Sequence, residues 1–322
     1  MSEGPVFLDL GVKGAAVSHD PEALREQAAT ALERASEFID AHGGELAQAR
    51  SWALLDAQPV EQAVRCLAAR QRADGSFPLL VEVPSDVLRA SLEEWGAEDA
   101  LVGTLQALSM LADLRQLVVP TVDRAVDFLS SVQLDDGSWG SLRDGQEQAV
   151  ASGAAPDSGA VAGSGTVSDG RLFGTAMLTG VLGKTRAVRP DVLAGASNFV
   201  AERWAPERVE GGPWTAIAAF ANFFTNVHHE RGDEALQWCG RELERGFRTR
   251  RFEALPVARV LLTSDAAALP GSALTPSELL AALLQEQAAD GGFAELESAG
   301  IPARVEPTID ATLAILRLCT AF

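Results

Sequence analysis

The sequence predicts an all-α protein, specifically a single (α/α)6 barrel of six helical hairpins. Three observations predict it: a phrase that recurs three times, apolar residues spaced three and four apart with no sustained strand-like alternation, and helices that alternate in character along the chain. Because the repetition runs through the whole sequence, it favours one closed array. We therefore expect residues 1–322 to form one domain.

The recurring phrase is Gln-x-x-Asp-Gly followed by Ser or Gly and then an aromatic residue. Its copies cover residues 71–77, 133–139 and 287–293, and each copy closes an apolar helical run. Asp and Gly end a helix and turn the chain, while Gln and the aromatic residue are expected to tie adjacent turns together. The interval between the second and third copies leaves room for two degenerate copies. The phrase thus predicts a fold and not a chemistry.

Pro and Gly residues divide the chain into predicted helix pairs. The pairs are 21–42 with 45–56, 59–72 with 98–114, 120–134 with 170–183, 190–203 with 213–229, 233–247 with 252–263, and 276–287 with 308–321. The first helix of a pair is amphipathic, as in residues 120–129, and the second is apolar nearly all round, as in residues 173–182. A helix that is apolar on every side is buried on every side, so the second helices should form an inner ring around a cavity.

The stretch from Asp144 to Gly170 is rich in Gly, Ala and Ser and contains hardly any large apolar residue. This composition predicts a flexible loop, either a disordered insertion or a lid over the cavity. Trp95, in the long connection after the first copy of the phrase, is expected to cover the cavity mouth or to pack on its rim.

The net charge limits the kinds of partner that the protein can bind, and the cysteine content indicates its cellular compartment. Lys and Arg number 26 against 45 Asp and Glu, which gives a formal net charge of -19. Such a surface repels nucleic acid and anionic membranes, and no apolar run is long enough for stable membrane insertion. Because Cys66, Cys239 and Cys319 are isolated and no signal peptide is recognisable, we expect a cytoplasmic protein.

The repeats carry a resemblance. Gln-x-x-Asp-Gly-Ser-Trp after an outer helix, followed by an inner helix that opens with Asp and Thr, resembles the QW-type repeat of terpenoid cyclases and protein prenyltransferases over nearly the whole chain. In class II terpene cyclases the catalytic acid lies in an Asp-x-Asp-Asp-Thr phrase at the start of an inner helix. Residues 308–312 read Thr-Ile-Asp-Ala-Thr, so the outer Asp residues are replaced while the middle Asp and the Thr are retained.

The resemblance implies a class II-type enzyme that protonates an isoprenoid in an apolar cavity and so starts its cyclisation or isomerisation. Asp310 matches the family's proton donor, because protonation of an alkene requires a carboxylic acid in a dry site. Aromatic faces would shield the cationic intermediates. The candidate substrate-binding residues are Trp214, Phe220, Phe224, Phe173 and Thr312.

Alternatives stay open at this level. Asp310 could instead cap the N-terminus of its helix, and the aromatic residues could be ordinary core. The protein could be a non-catalytic isoprenoid-binding or lipid-binding barrel, or a subunit of a biosynthetic complex. Carbohydrate chemistry would need paired carboxylates in a polar, aromatic cleft, which nearly apolar inner helices disfavour. A single barrel could complete its chamber as a homodimer.

No cofactor or metal is expected. The Asp-Asp-x-x-Asp phrase that holds magnesium in class I terpene synthases is absent. Zinc, which protein prenyltransferases use, needs converging Asp, Cys and His ligands, but the adjacent His228 and His229 point about 100° apart on a helix. The expected ligand is therefore an isoprenoid or another apolar small molecule.

Overall fold

The computed structural model describes residues 21–81, 86–140, 169–294 and 300–322, and it leaves the side chains of residues 86–88 undescribed. Every regular element within these ranges is helical, so the predicted all-α class is confirmed. The α-helices are α1 (Pro21–His42), α2 (Glu45–Leu54), α3 (Glu61–Ala68), α4 (Asp86–Trp95), α5 (Asp99–Asp113), α6 (Pro120–Ser131), α7 (Asp169–Gly183), α8 (Pro190–Glu202), α9 (Trp214–Asn226), α10 (Gly232–Arg248), α11 (Ala254–Ser264), α12 (Pro276–Gln285) and α13 (Val305–Cys319).

These helices match the predicted pairs to within four residues at either end, and the largest of these end differences is at the end of α3. Helix α4 lies in the connection between residues 72 and 98, for which the sequence predicts no helix. The predicted flexible loop, Asp144 to Gly170, falls almost entirely outside the described residues, but its last two residues, Asp169 and Gly170, begin α7. The last inner helix begins at Val305, earlier than the sequence predicted. None of the helices in the described ranges is long and apolar enough to cross a membrane.

The three copies of the recurring phrase close their turns in the same way. In each copy the Gln Nε2 donates one hydrogen bond to the carbonyl of the turn glycine and a second to a carbonyl of another amphipathic helix, at 2.8–2.9 Å. The second acceptors are Thr121 in α6, Val192 in α8 and Ala31 in α1. Each glutamine therefore joins one outer helix to the next.

The turn glycines need a backbone conformation that other residues rarely adopt. Their φ angles are 90° at Gly75, 86° at Gly137 and 90° at Gly291. A Cβ at Gly291 would also lie 2.3 Å from the carbonyl oxygen of Arg34 in α1. Both the positive φ and the close approach of the neighbouring helix explain why glycine occupies this position.

A buried threonine fixes each following inner helix against the turn. It accepts a hydrogen bond from the backbone N–H of the aromatic residue that ends the phrase. These anchoring threonines are Thr104 in α5 (from Phe77, 3.1 Å), Thr175 in α7 (from Trp139, 3.3 Å) and Thr308 in α13 (from Phe293, 2.9 Å). Because the threonine side chains and the aromatic rings are fully buried, the bond sets the register of each inner helix.

The inner helices are the second members of the pairs: α2, α5, α7, α9, α11 and α13. Contacts link α5, α7, α9, α11, α13 and α2 in that order, and α1 packs against α12 and α13. The last hairpin of the chain therefore contacts the first. A closed ring of hairpins would contain these contacts, and the six-hairpin barrel stays our interpretation of them.

Candidate functional site

A cavity of about 240 Å³ lies between the inner helices. All six inner helices contribute to its wall, and α4 adds Ser91, Leu92 and Trp95. The threonine bonds at the recurring turns fix which faces of α5, α7 and α13 border this space. The cavity therefore follows directly from the repeated hairpin, as expected for a ligand site between packed helices.

The wall is mostly apolar and contains three large aromatic side chains, Trp95, Phe173 and Trp214. The indole N–H of Trp95 is satisfied outside the cavity, because Nε1 donates to the carbonyl of Trp139 at 2.8 Å. Its ring packs so closely on α7 that a Cβ at Gly174 would lie 2.2 Å from it. The ring is thus held by contacts and cannot turn freely.

Two of the predicted substrate-binding residues, Trp214 and Phe173, border the cavity. Phe220 and Phe224 do not; they pack behind the wall with Trp204, with ring centroids 4.7 Å and 5.5 Å from that indole, and Phe220 also contacts Phe173. Periodicity could not distinguish these positions, because α9 is apolar on all sides and almost wholly buried.

Thr312 is likewise absent from the cavity wall. Its hydroxyl is buried and donates to the carbonyl of Thr308 one turn earlier, at 2.8 Å. A threonine that bonds to the preceding turn of its own helix has a local structural role.

Asp310 borders the cavity and forms an ion pair. Its Oδ2 accepts a hydrogen bond from Nε of Arg259 in α11 at 2.6 Å, and the arginine side chain is only 8% exposed. The alternative that Asp310 caps its helix is wrong, because α13 begins at Val305 and Asp310 lies beyond its first turn. The carboxylate therefore joins two inner helices across the cavity wall.

The same wall carries further charged residues that the sequence had not indicated. Arg50 of α2 makes a two-pronged ion pair with Glu306 of α13, with N–O distances of 2.9 Å and 2.7 Å. Lys184, at the end of α7, donates from Nζ to the carbonyl of Thr263 at 2.6 Å, and burial is the main cause that lowers its pKa. Within an otherwise apolar cavity these groups form a compact polar wall.

Asp113, the last residue of α5, completes this polar wall. Burial raises its pKa to about 6, and the nearby negative charge of Asp310 adds to the shift. The positive charges of Arg50, Arg317 and Lys184 act in the opposite direction. Asp113 is thus a carboxyl that keeps its proton to a higher pH than an ordinary aspartate does, a property often found at functional sites.

One signal in the sequence could have found this residue. Counted from the anchoring threonines, Asp113, Lys184 and Arg317 occupy the same register on their three inner helices. Gln106 and Met177 follow their anchoring threonines at the same spacing as Asp310 follows Thr308, and both border the cavity. When the repeats are aligned on the anchoring threonine instead of on the turn, these cavity residues fall at equivalent positions.

Among the described residues no group of three or more His, Cys, Asp or Glu side chains converges as metal ligands would. The carboxyl groups of Glu306 and Asp310 instead face arginines.

Comparison with known proteins identifies a shared fold but does not identify a function. No protein-family model matches the chain, and no curated protein matches it. Among solved structures, the crystal structure of a protein from Actinoplanes is similar, with a TM-score of 0.54 and 15% sequence identity. The similarity covers 91% of this chain and 99% of that one. At this identity the likeness shows a shared fold only.

Proposed function

We propose that the protein binds an isoprenoid or similar apolar molecule in its central cavity and protonates it, so that it cyclises or isomerises. One observation carries the proposal: a mostly apolar, aromatic cavity has carboxyl groups in its wall. An alkene is a weak base, and its protonation needs a carboxylic acid in a site that excludes water. The aromatic faces of Phe173 and Trp214 would stabilise positive charge on the substrate.

The reaction needs no cofactor. A proton adds to one carbon of a double bond, the resulting cation attacks a second double bond or rearranges, and loss of a proton from an adjacent carbon ends the reaction. The product has the same atoms as the substrate, so neither an oxidant nor a reductant takes part. The repeated turn phrase, with its resemblance to terpenoid cyclases, supports an isoprenoid as the substrate.

A second candidate function is binding without catalysis. It is favoured by the ion pairs Arg50–Glu306 and Arg259–Asp310, which occupy two of the carboxyl groups in the wall. A carboxylate that neutralises a buried arginine contributes to structure whether or not a substrate is present. In this case the protein would carry an apolar ligand or act within a biosynthetic complex.

The test combines binding with turnover. Purified protein is incubated with linear prenyl diphosphates and with squalene-type polyenes, and products are identified by mass spectrometry. Binding is followed by the fluorescence of Trp95 and Trp214, which border the cavity. Cyclic or isomerised products support the proposal, whereas quenching without products supports the binding function.

A cavity-filling variant shows whether the ligand uses this site. Ala218 borders the cavity, so Ala218→Phe should fill part of it and weaken binding about tenfold or more. Ala29→Phe, at an exposed position of α1, is the matched control and should bind as the wild type does. Equal binding by both variants would place the ligand elsewhere and would contradict both functions.

A further inference from the structure

Asp113 differs from the other acids of the cavity wall in its surroundings. It is the last residue of α5, where unpaired carbonyl groups leave the helix end partly negative and disfavour a carboxylate. A quarter of its side-chain surface is accessible, and the residue borders the cavity. The carboxyl is therefore in a place that disfavours its charge but remains open to a ligand.

Its hydrogen bonding also differs. Within the described part of the chain, no hydrogen bond reaches the Asp113 carboxyl, and its ion-pair contact is to Arg317 Nη2 at 4.0 Å. Arg317 is held more tightly by Asp265 of the neighbouring loop, at 2.9 Å. The Asp310 carboxylate, by contrast, accepts a 2.6 Å hydrogen bond from Arg259.

We propose that Asp113, and not Asp310, is the carboxyl that donates the proton to the substrate in this cavity. The inference rests on the proposed function. The O–H bond of Asp113 breaks and a C–H bond forms at one alkene carbon, which leaves a carbocation and the Asp113 carboxylate. The cation later loses a proton from an adjacent carbon to water, and the carboxylate takes up a proton from solvent before the next turnover. Protons and electrons balance.

Burial and the charged groups around Asp113 together set the pH at which it loses its proton. Burial raises its pKa most and Asp310 of α13 raises it further, while Arg50 of α2, Arg317 of α13 and Lys184, directly after α7, lower it. With a pKa of about 6, the carboxyl is protonated below this pH and largely ionised above it. Asp310 thus acts as a positioning residue whose negative charge, fixed beside Arg259, helps Asp113 to keep its proton.

The first measurement is independent of activity. Infrared difference spectra recorded over a pH titration report the C=O stretch of protonated carboxyl groups. We expect a band in the wild type that disappears with a midpoint near pH 6 and is missing in Asp113→Asn. In Asp310→Asn the midpoint should fall, because a like charge is removed. Asp123→Asn, at an exposed position of α6, should leave the band unchanged.

The second measurement is product formation by the same variants, with circular dichroism to establish that each is folded. Asp113→Asn should lower turnover about a hundredfold or more, whereas Asp123→Asn should not change it. Wild-type turnover should rise as the pH falls towards 6, and this dependence should shift in Asp310→Asn together with the infrared midpoint.

Three results would overturn the inference. Full turnover by a folded Asp113→Asn would remove Asp113 from the chemistry. If Asp310→Asn loses turnover while the infrared band of Asp113 is unchanged, then Asp310 and not Asp113 is the proton donor. An infrared band that titrates as expected, in a wild type that forms no product from any polyene, would instead refute the proposed function and with it the donation step.

Discussion

Gln287 donates its side-chain amide to the carbonyl of Ala31 at 2.8 Å and so joins α12 to α1 across 256 residues of sequence. The same amide bonds to the carbonyl of Gly291 at 2.9 Å. In the earlier copies of the phrase, Gln71 and Gln133 make the same pair of bonds between consecutive outer helices. One side-chain type thus forms both the local turn and the contact between the last and first hairpins.

Replacing this amide should weaken the contact between the two ends of the chain. Gln287→Met keeps the size of the side chain but leaves the carbonyls of Ala31 and Gly291 without a donor. We expect the free energy of unfolding to fall by about 1–3 kcal/mol, measured by urea denaturation. The exposed Gln285 on α12 provides the control, and Gln285→Met should change stability by less than about 0.5 kcal/mol. Equal stability of both variants would contradict a structural role for the bond.

A methyl group at Gly174 should displace the indole of Trp95. The new Cβ would lie 2.2 Å from the ring, which is fully buried and bonded to the carbonyl of Trp139. We expect Gly174→Ala to lower the free energy of unfolding by about 1–3 kcal/mol and to shift the tryptophan emission to longer wavelength. Gly44→Ala has open space around its Cβ and is the control. An unshifted emission maximum would mean that the indole tolerates the change.

Glu286 should make the stability fall as the pH rises. Its two carboxyl oxygens accept the backbone N–H groups of Ala254 and Leu255 at the start of α11, at 2.5 Å and 3.0 Å. Burial raises its pKa from an ordinary value of 4.5 to about 7, although the two amide bonds oppose the shift. The folded state therefore binds this proton more tightly than the unfolded state does, and the resulting stabilisation is complete below pH 4.5 and lost as the pH rises through 7.

The measurement is the melting temperature across that range for wild type and Glu286→Gln. Glutamine keeps an acceptor for one amide but cannot titrate, so its melting temperature should fall less steeply with pH than that of the wild type. Other groups, Asp113 among them, titrate in both proteins and cancel in the difference. Parallel curves would show that Glu286 does not gain a proton on folding.

The sequence was sufficient for the helices of the repeated pairs, because their limits depend on local chemistry. Gly75, Gly137 and Gly291 mark turns that only a residue tolerant of positive φ can make, and the helix pairs between them follow from apolar spacing. Helix α4 was missed because residues 86–95 belong to no copy of the repeated pair. Its contribution to the cavity wall was therefore missed as well.

The site was less predictable, because a cavity is formed by side chains far apart in sequence. Asp310 was found through its place in a known phrase, whereas its partner Arg259 lies on another helix with no pattern to link them. Asp113 ends an apolar helix, and only the register that it shares with Lys184 and Arg317 marks it in the sequence. Burial and the charge of Asp310 give Asp113 its properties, and both arise only when the chain is folded.

The contact between the first and last hairpins affects how the molecule comes apart. In an open stack of helical repeats, each end unit has one neighbour and can fray by itself. Here α1 packs on α12 and α13, so the terminal hairpins have neighbours on both sides. Hydrogen exchange should therefore protect α1 and α13 to nearly the same degree as α7 and α9, and the helices should open together rather than one after another from the ends.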